Sequence, residues 1–342
     1  MNKNGNALRK VRATIAIVAA GWALTTTIDA DAQLALNATG IADGFSLSTF
    51  YTDPAAYYGL IGAVSVSGGF VIGSGYARGQ LYRFNDTDGQ SFGSALATAS
   101  AGGTPTDIAS AGGTAYVGLL GNHYYAIDST TLALTPLALP GVTATYGLWG
   151  NQTNGHLLAG SNMGLIDIDP VASSFVVVGT PGGNIDGVTV SPDGKIAYIE
   201  TNSNALFGYS LITPNPTTPV FSRTGLPGGP DGTGIISGGT FDGDLIVNNN
   251  DGTVGLIDHI SGVETIIASG GARGDLVSPD LSNGTLFLTA SNQTYRLACG
   301  PDCSIGSTPP PVPEPETVAL LGLGLTAMWL RRRRMHTGSA GG

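Results

Sequence analysis

A repeat of about 40 to 45 residues runs through the middle of the chain, and it restricts the fold more than any other feature. The clearest copies are Asp107–Gly118 followed by Tyr125–Asp128, and Asp186–Ile199 followed by Phe207–Leu211. Each reads as a short strand, a turn, a second strand, a polar turn, a third strand and a looser fourth. Further copies span 62–84, 147–168, 232–258 and 274–297, which makes six. The period is that of one four-stranded blade, and a blade cannot bury both of its own faces. The repeats therefore predict an all-β propeller of six blades packed around a channel. Seven blades is the alternative count, and a β-sandwich or β-solenoid the alternative architecture. The last copy stops after its third strand at Tyr295-Arg296-Leu297, while an unassigned strand, Phe45–Tyr51, precedes the first. That strand is expected to complete the last blade and remove the open edges.

Composition agrees with many short strands joined by tight turns. Gly occurs 53 times, charged residues make up only 11% of the chain, and apolar residues come in short alternating groups. The β-branched and aromatic content excludes disorder. In the fourth copy, Val190-Ser191-Pro192-Asp193-Gly194-Lys195-Ile196-Ala197-Tyr198 resembles the S-P-D-G-K turn of YVTN and NHL-type propeller repeats, more loosely matched at Ser278-Pro279-Asp280. Pro presets one dihedral of such a turn and Gly accepts the left-handed one. The resemblance implies a fold and carries no chemistry.

The two ends read as addresses. Lys3, Arg9, Lys10 and Arg12 precede an apolar run, Ala13–Leu24, and Ala30-Asp31-Ala32 supplies the small residues of a signal-peptidase site. Cleavage is expected after Ala32; a dozen apolar residues are too few to cross a core of about 30 Å. At the other end a Pro-rich linker leads into an apolar stretch, Val318–Leu330, and then Arg331, Arg332, Arg333 and Arg334. Under the positive-inside rule these arginines stay cytoplasmic, and the segment spans the membrane only marginally. Val312-Pro313-Glu314-Pro315, the apolar helix and the arginine cluster together resemble the PEP-CTERM sorting signal of Gram-negative bacteria. That resemblance covers about the last thirty residues. It implies recognition by an exosortase-like processing enzyme, cleavage near Pro-Glu-Pro, passing inner-membrane association, and delivery to the outer envelope or extracellular matrix in connection with exopolysaccharide and biofilm. The expected division is 1–32 signal peptide, 33–306 propeller, 307–317 linker with the motif, 318–334 hydrophobic sorting helix and arginine cluster, and 335–342 polar tail. Gly322, Gly324 and Ala327 match a dinucleotide-binding pattern, but no strand of a βαβ unit precedes them.

Between the ends the body holds six basic and 20 acidic residues, a net charge of −14. Such a surface repels nucleic acid, so no nucleic-acid partner is expected. Cys299 and Cys303 are the only cysteines, and an oxidising destination favours a small disulfide loop over free thiols or a metal site. No nucleophile elbow, zinc-protease or phosphate-loop motif occurs. His123, His156 and His259 fall at different stages of different repeats and read as turn or strand-surface residues. Segments 86–89 and 249–252 resemble fragments of calcium loops, but Phe84 and Val247 occupy the first ligand position, and tight turns account for both.

One constellation emerges only through the repeat. Asp107, Asp186, Asp231 and Asp275 each stand at the start of the first strand of their copy, the strand that lines a propeller's channel. Four carboxylates at one mouth would bind calcium or another divalent cation, the one cofactor candidate, or else show raised pKa values. The alternative is that each caps a turn through backbone N–H bonds. Two functions follow. The first is a noncatalytic envelope or matrix scaffold that binds a polysaccharide or another envelope protein. The second is an exported propeller enzyme, a metal-dependent lactonase-like hydrolase or a lyase resembling streptogramin lyase. The enzyme is the weaker reading because no His sits at an equivalent repeat position beside the carboxylates.

Overall fold

The structure is a computed structural model that describes residues 33–56, 58–300 and 302–306. The signal segment 1–32 and the linker, sorting helix, arginine cluster and polar tail of 307–342 lie outside the described residues.

Within each repeat, short turns reverse the chain after every strand, so successive strands pair as antiparallel hairpins and each repeat becomes a separate sheet. Blade 1 comprises Leu60–Val66, Phe70–Gly75, Gln80–Asn85 and Ala97–Ser100. Blade 2 comprises Pro105–Ala111, Thr114–Leu119, Tyr124–Ile127 and Leu134–Pro136, and blade 3 Ala144–Asn151, His156–Ser161, Gly164–Asp169 and Ser174–Gly179. Blade 4 is built from Ile185–Val190, Ile196–Thr201, Ala205–Ser210 and Phe221–Thr224, and blade 5 from Pro230–Ser237, Leu245–Asn249, Val254–Ile257 and Glu264–Ser269. Blade 6 takes Gly274–Asp280, Thr285–Ala290 and Gln293–Ala298 from the end of the chain and Ser46–Thr52 from its beginning.

The first strand of each blade packs on the first strand of the next, and that of blade 6 on that of blade 1, so the six blades form a closed ring. These inner strands are covered on both faces and are mostly apolar or small, with an acidic or aromatic residue near the start of several: every residue of Pro105–Ala111 and of Pro230–Ser237 is buried. The outermost strands alternate instead, as in Ser174–Gly179, because only one face meets a neighbour.

Closure is made at several points. Ala35–Leu36 extends blade 5 by pairing with Ala268–Ser269, and a short helix, Ala38–Ala42, follows. Asn37 caps that helix by accepting from the Gly40 amide at 2.9 Å, while its own amide donates to the Ile266 carbonyl at 2.7 Å. The chain then enters blade 6 as its outer strand, Ser46–Thr52, against Gln293–Ala298. Gln90–Ser91, from a loop of blade 1, pairs in parallel with Tyr51–Thr52. Under this seam Arg296 forms ion pairs with Asp86, with Asp88 at 2.7 Å and with Asp280 at 3.0 Å. Its guanidinium lies about 5 Å from the ring centres of both Phe50 and Phe287. The Asp86–Gly89 segment therefore serves an arginine, and Asn249–Gly252 is a turn closed by the Gly252 amide on the Asn249 carbonyl at 3.1 Å.

After blade 6, Cys299 and Cys303 are joined as a disulfide, and Ser304–Ile305 pairs with the end of the inner strand of blade 5. Gly306 packs there against Trp149 and Pro279, near the ends of two other inner strands. The last described residues thus lie at the end of the channel where the inner strands finish. In blade 4 the Ser191–Lys195 turn is tied internally: Asp193 accepts from the Ser191 hydroxyl at 2.7 Å and from the Lys195 amide at 3.1 Å. Gly194 in that turn adopts a φ of +72°.

Candidate functional site

Each inner strand carries a register irregularity near its start: between Leu60 and Gly62, Pro105 and Ile108, Ala144 and Leu148, Ile185 and Val188, Pro230 and Thr233, and Gly274 and Val277. A bulge breaks the two-residue alternation and re-aims the side chain within it. The residues concerned are Ile61, Asp107, Tyr146, Asp186, Asp231 and Asp275. All but Asp107 line one cavity of about 290 Å³, to which blades 1, 3, 4, 5 and 6 contribute and which opens at the mouth of the channel. In four blades the bulged residue is followed by Gly, at 62, 147, 187 and 232, because the next blade approaches too closely for a side chain. A Cβ on Gly187 would lie 2.8 Å from the Thr233 amide nitrogen, and one on Gly232 would lie 2.7 Å from the Asp275 carbonyl.

Segments that lead into inner strands supply Tyr58 and Arg273, and turns between second and third strands supply Tyr76, Asn202, Asn204 and Asn250. Arg273 is the cation of the cleft. It donates to Asp231 at 2.5 Å, to the Tyr58 hydroxyl at 2.8 Å and to Asn250, and it ion-pairs with Asp275 at 3.3 Å. Its guanidinium stands 5.8 Å from the Tyr58 ring centre, and the Tyr58 and Tyr76 rings meet edge to face at 5.7 Å. The Tyr76 and Tyr146 hydroxyls are 3.4 Å apart.

Burial pushes all three cleft carboxyls upward. Asp186 rises to about 6, with Arg273 opposing the shift. Asp231 rises to about 7 through burial and then the neighbouring Asp275, and Asp275 to about 7 through burial, with Arg273 opposing in both. Behind the wall, Glu200 is completely buried, and neither carboxyl oxygen has a well-formed hydrogen bond among the described residues, the Gly232 amide opposing its pKa rise only weakly. Burial first, then Asp231 and Asp186, hold its pKa well above the usual carboxylate range.

Three of the four aspartates read from the repeat therefore meet at the cleft, and the fourth does not. Asp107 is buried deeper, accepting from the Ile108 amide at 2.7 Å, the Leu148 amide at 2.9 Å and the Ser278 hydroxyl at 3.4 Å. It links blades 2, 3 and 6 across the channel. Among the described residues no group of three or more His, Cys, Asp or Glu side chains is placed to hold a metal ion. The histidines are elsewhere: His156 bonds Asp167 at 2.9 Å, His259 bonds Asp244 at 2.8 Å, and His123 lies in an exposed turn. Tyr58, Tyr76, Tyr146, Arg273 and Glu200 escape the sequence reading. Only Tyr146 had a signal, as the residue before a Gly at the repeat position that Asp186 and Asp231 occupy.

Residues 311–334 match the PEP-CTERM protein-sorting motif. No curated protein matches the chain. Among solved structures, the body is similar to a gluconolactonase from Xanthomonas campestris, with 14% identity and a TM-score of 0.57 over 79% of this chain and 95% of that one. It is also similar to an auxiliary nutrient binding protein from Bacteroides thetaiotaomicron, with 13% identity and a TM-score of 0.55 over 74% and 76% of the two chains. The β-propeller domain of Cps50 (Swd1) from Myceliophteria thermophila gives 9% identity and a TM-score of 0.52 over 73% and 83%. At these identities the likenesses show the fold alone.

Proposed function

We propose that this is an exported envelope or extracellular-matrix protein whose propeller holds a glycan in the axial cleft, and that an exosortase-type enzyme sorts it through the C-terminal motif. The matched motif supports the sorting half and the envelope or matrix destination. The cleft's lining carries the binding half. Three tyrosine rings offer flat apolar faces to the C–H face of a sugar. Three carboxyls, three asparagines and one guanidinium converge within the same 290 Å³ to exchange hydrogen bonds with its hydroxyls. That volume suits one or two sugar units of a longer chain.

The exit of the chain at Gly306, beside Trp149 and Pro279, supports a division of labour between the two ends of the channel. A tail engaged by a processing enzyme or the inner membrane leaves the opposite mouth free for a polysaccharide. The self-bonded Ser191–Lys195 turn supports an NHL-type relationship for the blades. The hydrolase or lyase reading calls for a His beside the carboxylates, and the described residues bring none to the cleft.

Saccharide-array screening of the purified protein, followed by calorimetry, tests the reading. The expected result is binding to at least one polysaccharide, weakened at least about tenfold by Tyr146→Ala. An array blank for every saccharide, together with turnover of a lactone, would overturn it.

A further inference from the structure

We propose that the saccharide held in this cleft carries a free amine, and that Asp186 is the residue that receives it. The inference rests on the glycan reading and adds the ligand's chemical class.

Among the described residues one cation, Arg273, lines the cleft. Arg273 serves Asp231, Asp275, Asn250 and Tyr58. Asp186 lines the same cavity, yet among the described residues it accepts no hydrogen bond and makes no ion pair; Arg273 acts on it through the longer-range field. Three carboxyls thus line a cleft with one guanidinium, which bonds two of them. Another carboxyl lies behind the same wall, outside the cavity's lining. Glu200 is wholly buried with neither carboxyl oxygen in a well-formed hydrogen bond among the described residues, and its Oε2 is 2.6 Å from where a Cβ on Gly187, the neighbour of Asp186, would stand. Asp186 and Asp231 both act on it electrostatically. Of the cleft-lining carboxyls, Asp186 is the one that Arg273 does not bond.

Each class of saccharide meets that wall differently. A neutral sugar would strip water from Asp186 and offer only hydroxyl donors in return, which leaves a charge poorly compensated. A uronic or phosphorylated sugar would add like charge. An ammonium group would form a charge-assisted bond with Asp186 and lie within reach of the electron-rich faces of the tyrosines. The body reinforces the choice: with six basic and 20 acidic residues, its field draws polycations and repels polyanions.

The test is calorimetry of the purified full chain at neutral pH with short oligomers of glucosamine, N-acetylglucosamine and glucose of equal length. The glucosamine oligomer is expected to bind at least about tenfold more tightly than the other two, and the margin to shrink as salt is added. Asp186→Asn is expected to remove the margin while retaining weak binding of the neutral oligomers, with its circular dichroism unchanged. Equal or tighter binding of the acetylated or glucose oligomer overturns the amine assignment and leaves the glycan reading standing. Binding of none of the three also overturns it, and a blank array sinks both. A preference that survives in Asp186→Asn overturns the role of Asp186. Should that variant not fold, the comparison of the three oligomers on the unmodified protein still decides the matter.

Discussion

Replacing Arg296 with Met tests how the ring is held shut. The Arg296 side chain is 10% exposed, and the Asp280 carboxylate it pairs with at 3.0 Å is not exposed at all. Met keeps the apolar stem between Phe50 and Phe287 but removes the charge. Asp280 retains the Ser282 hydroxyl at 2.7 Å and the Asn283 amide at 3.0 Å, yet loses its only cation. Breaking a buried pair on one side costs about 3 to 5 kcal/mol, and the two ring contacts place the value toward the upper half of that range. Asp88 adds little, being 39% exposed in its side chain. A loss of about 4 kcal/mol corresponds to a fall in melting temperature on the order of 10 °C for a body of this size. Urea unfolding should show the midpoint shift with an unchanged slope, since the surface exposed on unfolding is the same. Adding Asp280→Asn to Arg296→Met removes the stranded charge and should recover about half of the loss. An unfolding free energy within about 1 kcal/mol of the parent, or no recovery in the double variant, would refute the latch.

Two further outcomes follow from the channel. Asp107→Ala strands the Ile108 and Leu148 amides in the interior and should cost about 2 to 4 kcal/mol by chemical denaturation, whereas a turn-capping role would cost about 1. Asp186, Asp231, Asp275 and Glu200 all have folded pKa values raised above their unfolded ones, so the native state binds more protons. Stability is then greatest in mild acid and falls as pH rises from about 4 to about 7, each such group contributing up to about 1.4 kcal/mol per pH unit. Glu200→Gln should flatten part of that slope and stabilise the protein more in mild alkali than in mild acid; melting curves across pH that show the reverse trend would contradict the burial argument.

The repeat made the ring, the number of blades and the completing strand legible, because each is written in local alternation and turn chemistry. Phe45–Tyr51 was recognisable as a strand without a partner, and Tyr295–Leu297 as a sheet lacking its edge; the observed pairing of Ser46–Thr52 with Gln293–Ala298 joins them. The cleft was legible only in part. Asp186, Asp231 and Asp275 share a repeat position and a bulge, and they converge. Asp107 shares both, yet its carboxylate turns to the Leu148 amide of the next blade, a partner that no periodicity within blade 2 reveals. Arg273 and Arg296 were invisible for a related reason. Besides Asp275 and Asp280 in blade 6, their partners lie in other repeats, Arg273 reaching back to Asp231 and Asn250 in blade 5 and Arg296 across the seam to Asp86 and Asp88. Contacts between blades depend on how neighbouring sheets are set against each other, and alternation along one strand carries no record of that.

The bulges explain why carboxyls gather at one mouth of the channel. Along an unbroken inner strand alternate residues would face the neighbouring blade, and an aspartate there would be buried against apolar side chains at prohibitive cost. The irregularity after Ile185, Pro230 and Gly274 turns that residue toward the axis at the end of the channel where the strands begin. Toward their other ends the strands resume regular pairing, and Trp149, Pro279 and the returning segment at Ile305 and Gly306 meet there. The carboxyl-rich cleft and the exit of the chain are consequently at opposite ends of one axis by construction. A substitution at the cleft, such as Asp186→Asn, should therefore change what the protein binds without changing how its tail is presented, and one at the exit, such as Trp149→Ala, should do the opposite. Saccharide calorimetry for the first, and limited proteolysis beyond Gly306 for the second, separate the two; coupled effects in both assays would show that the channel transmits between its ends.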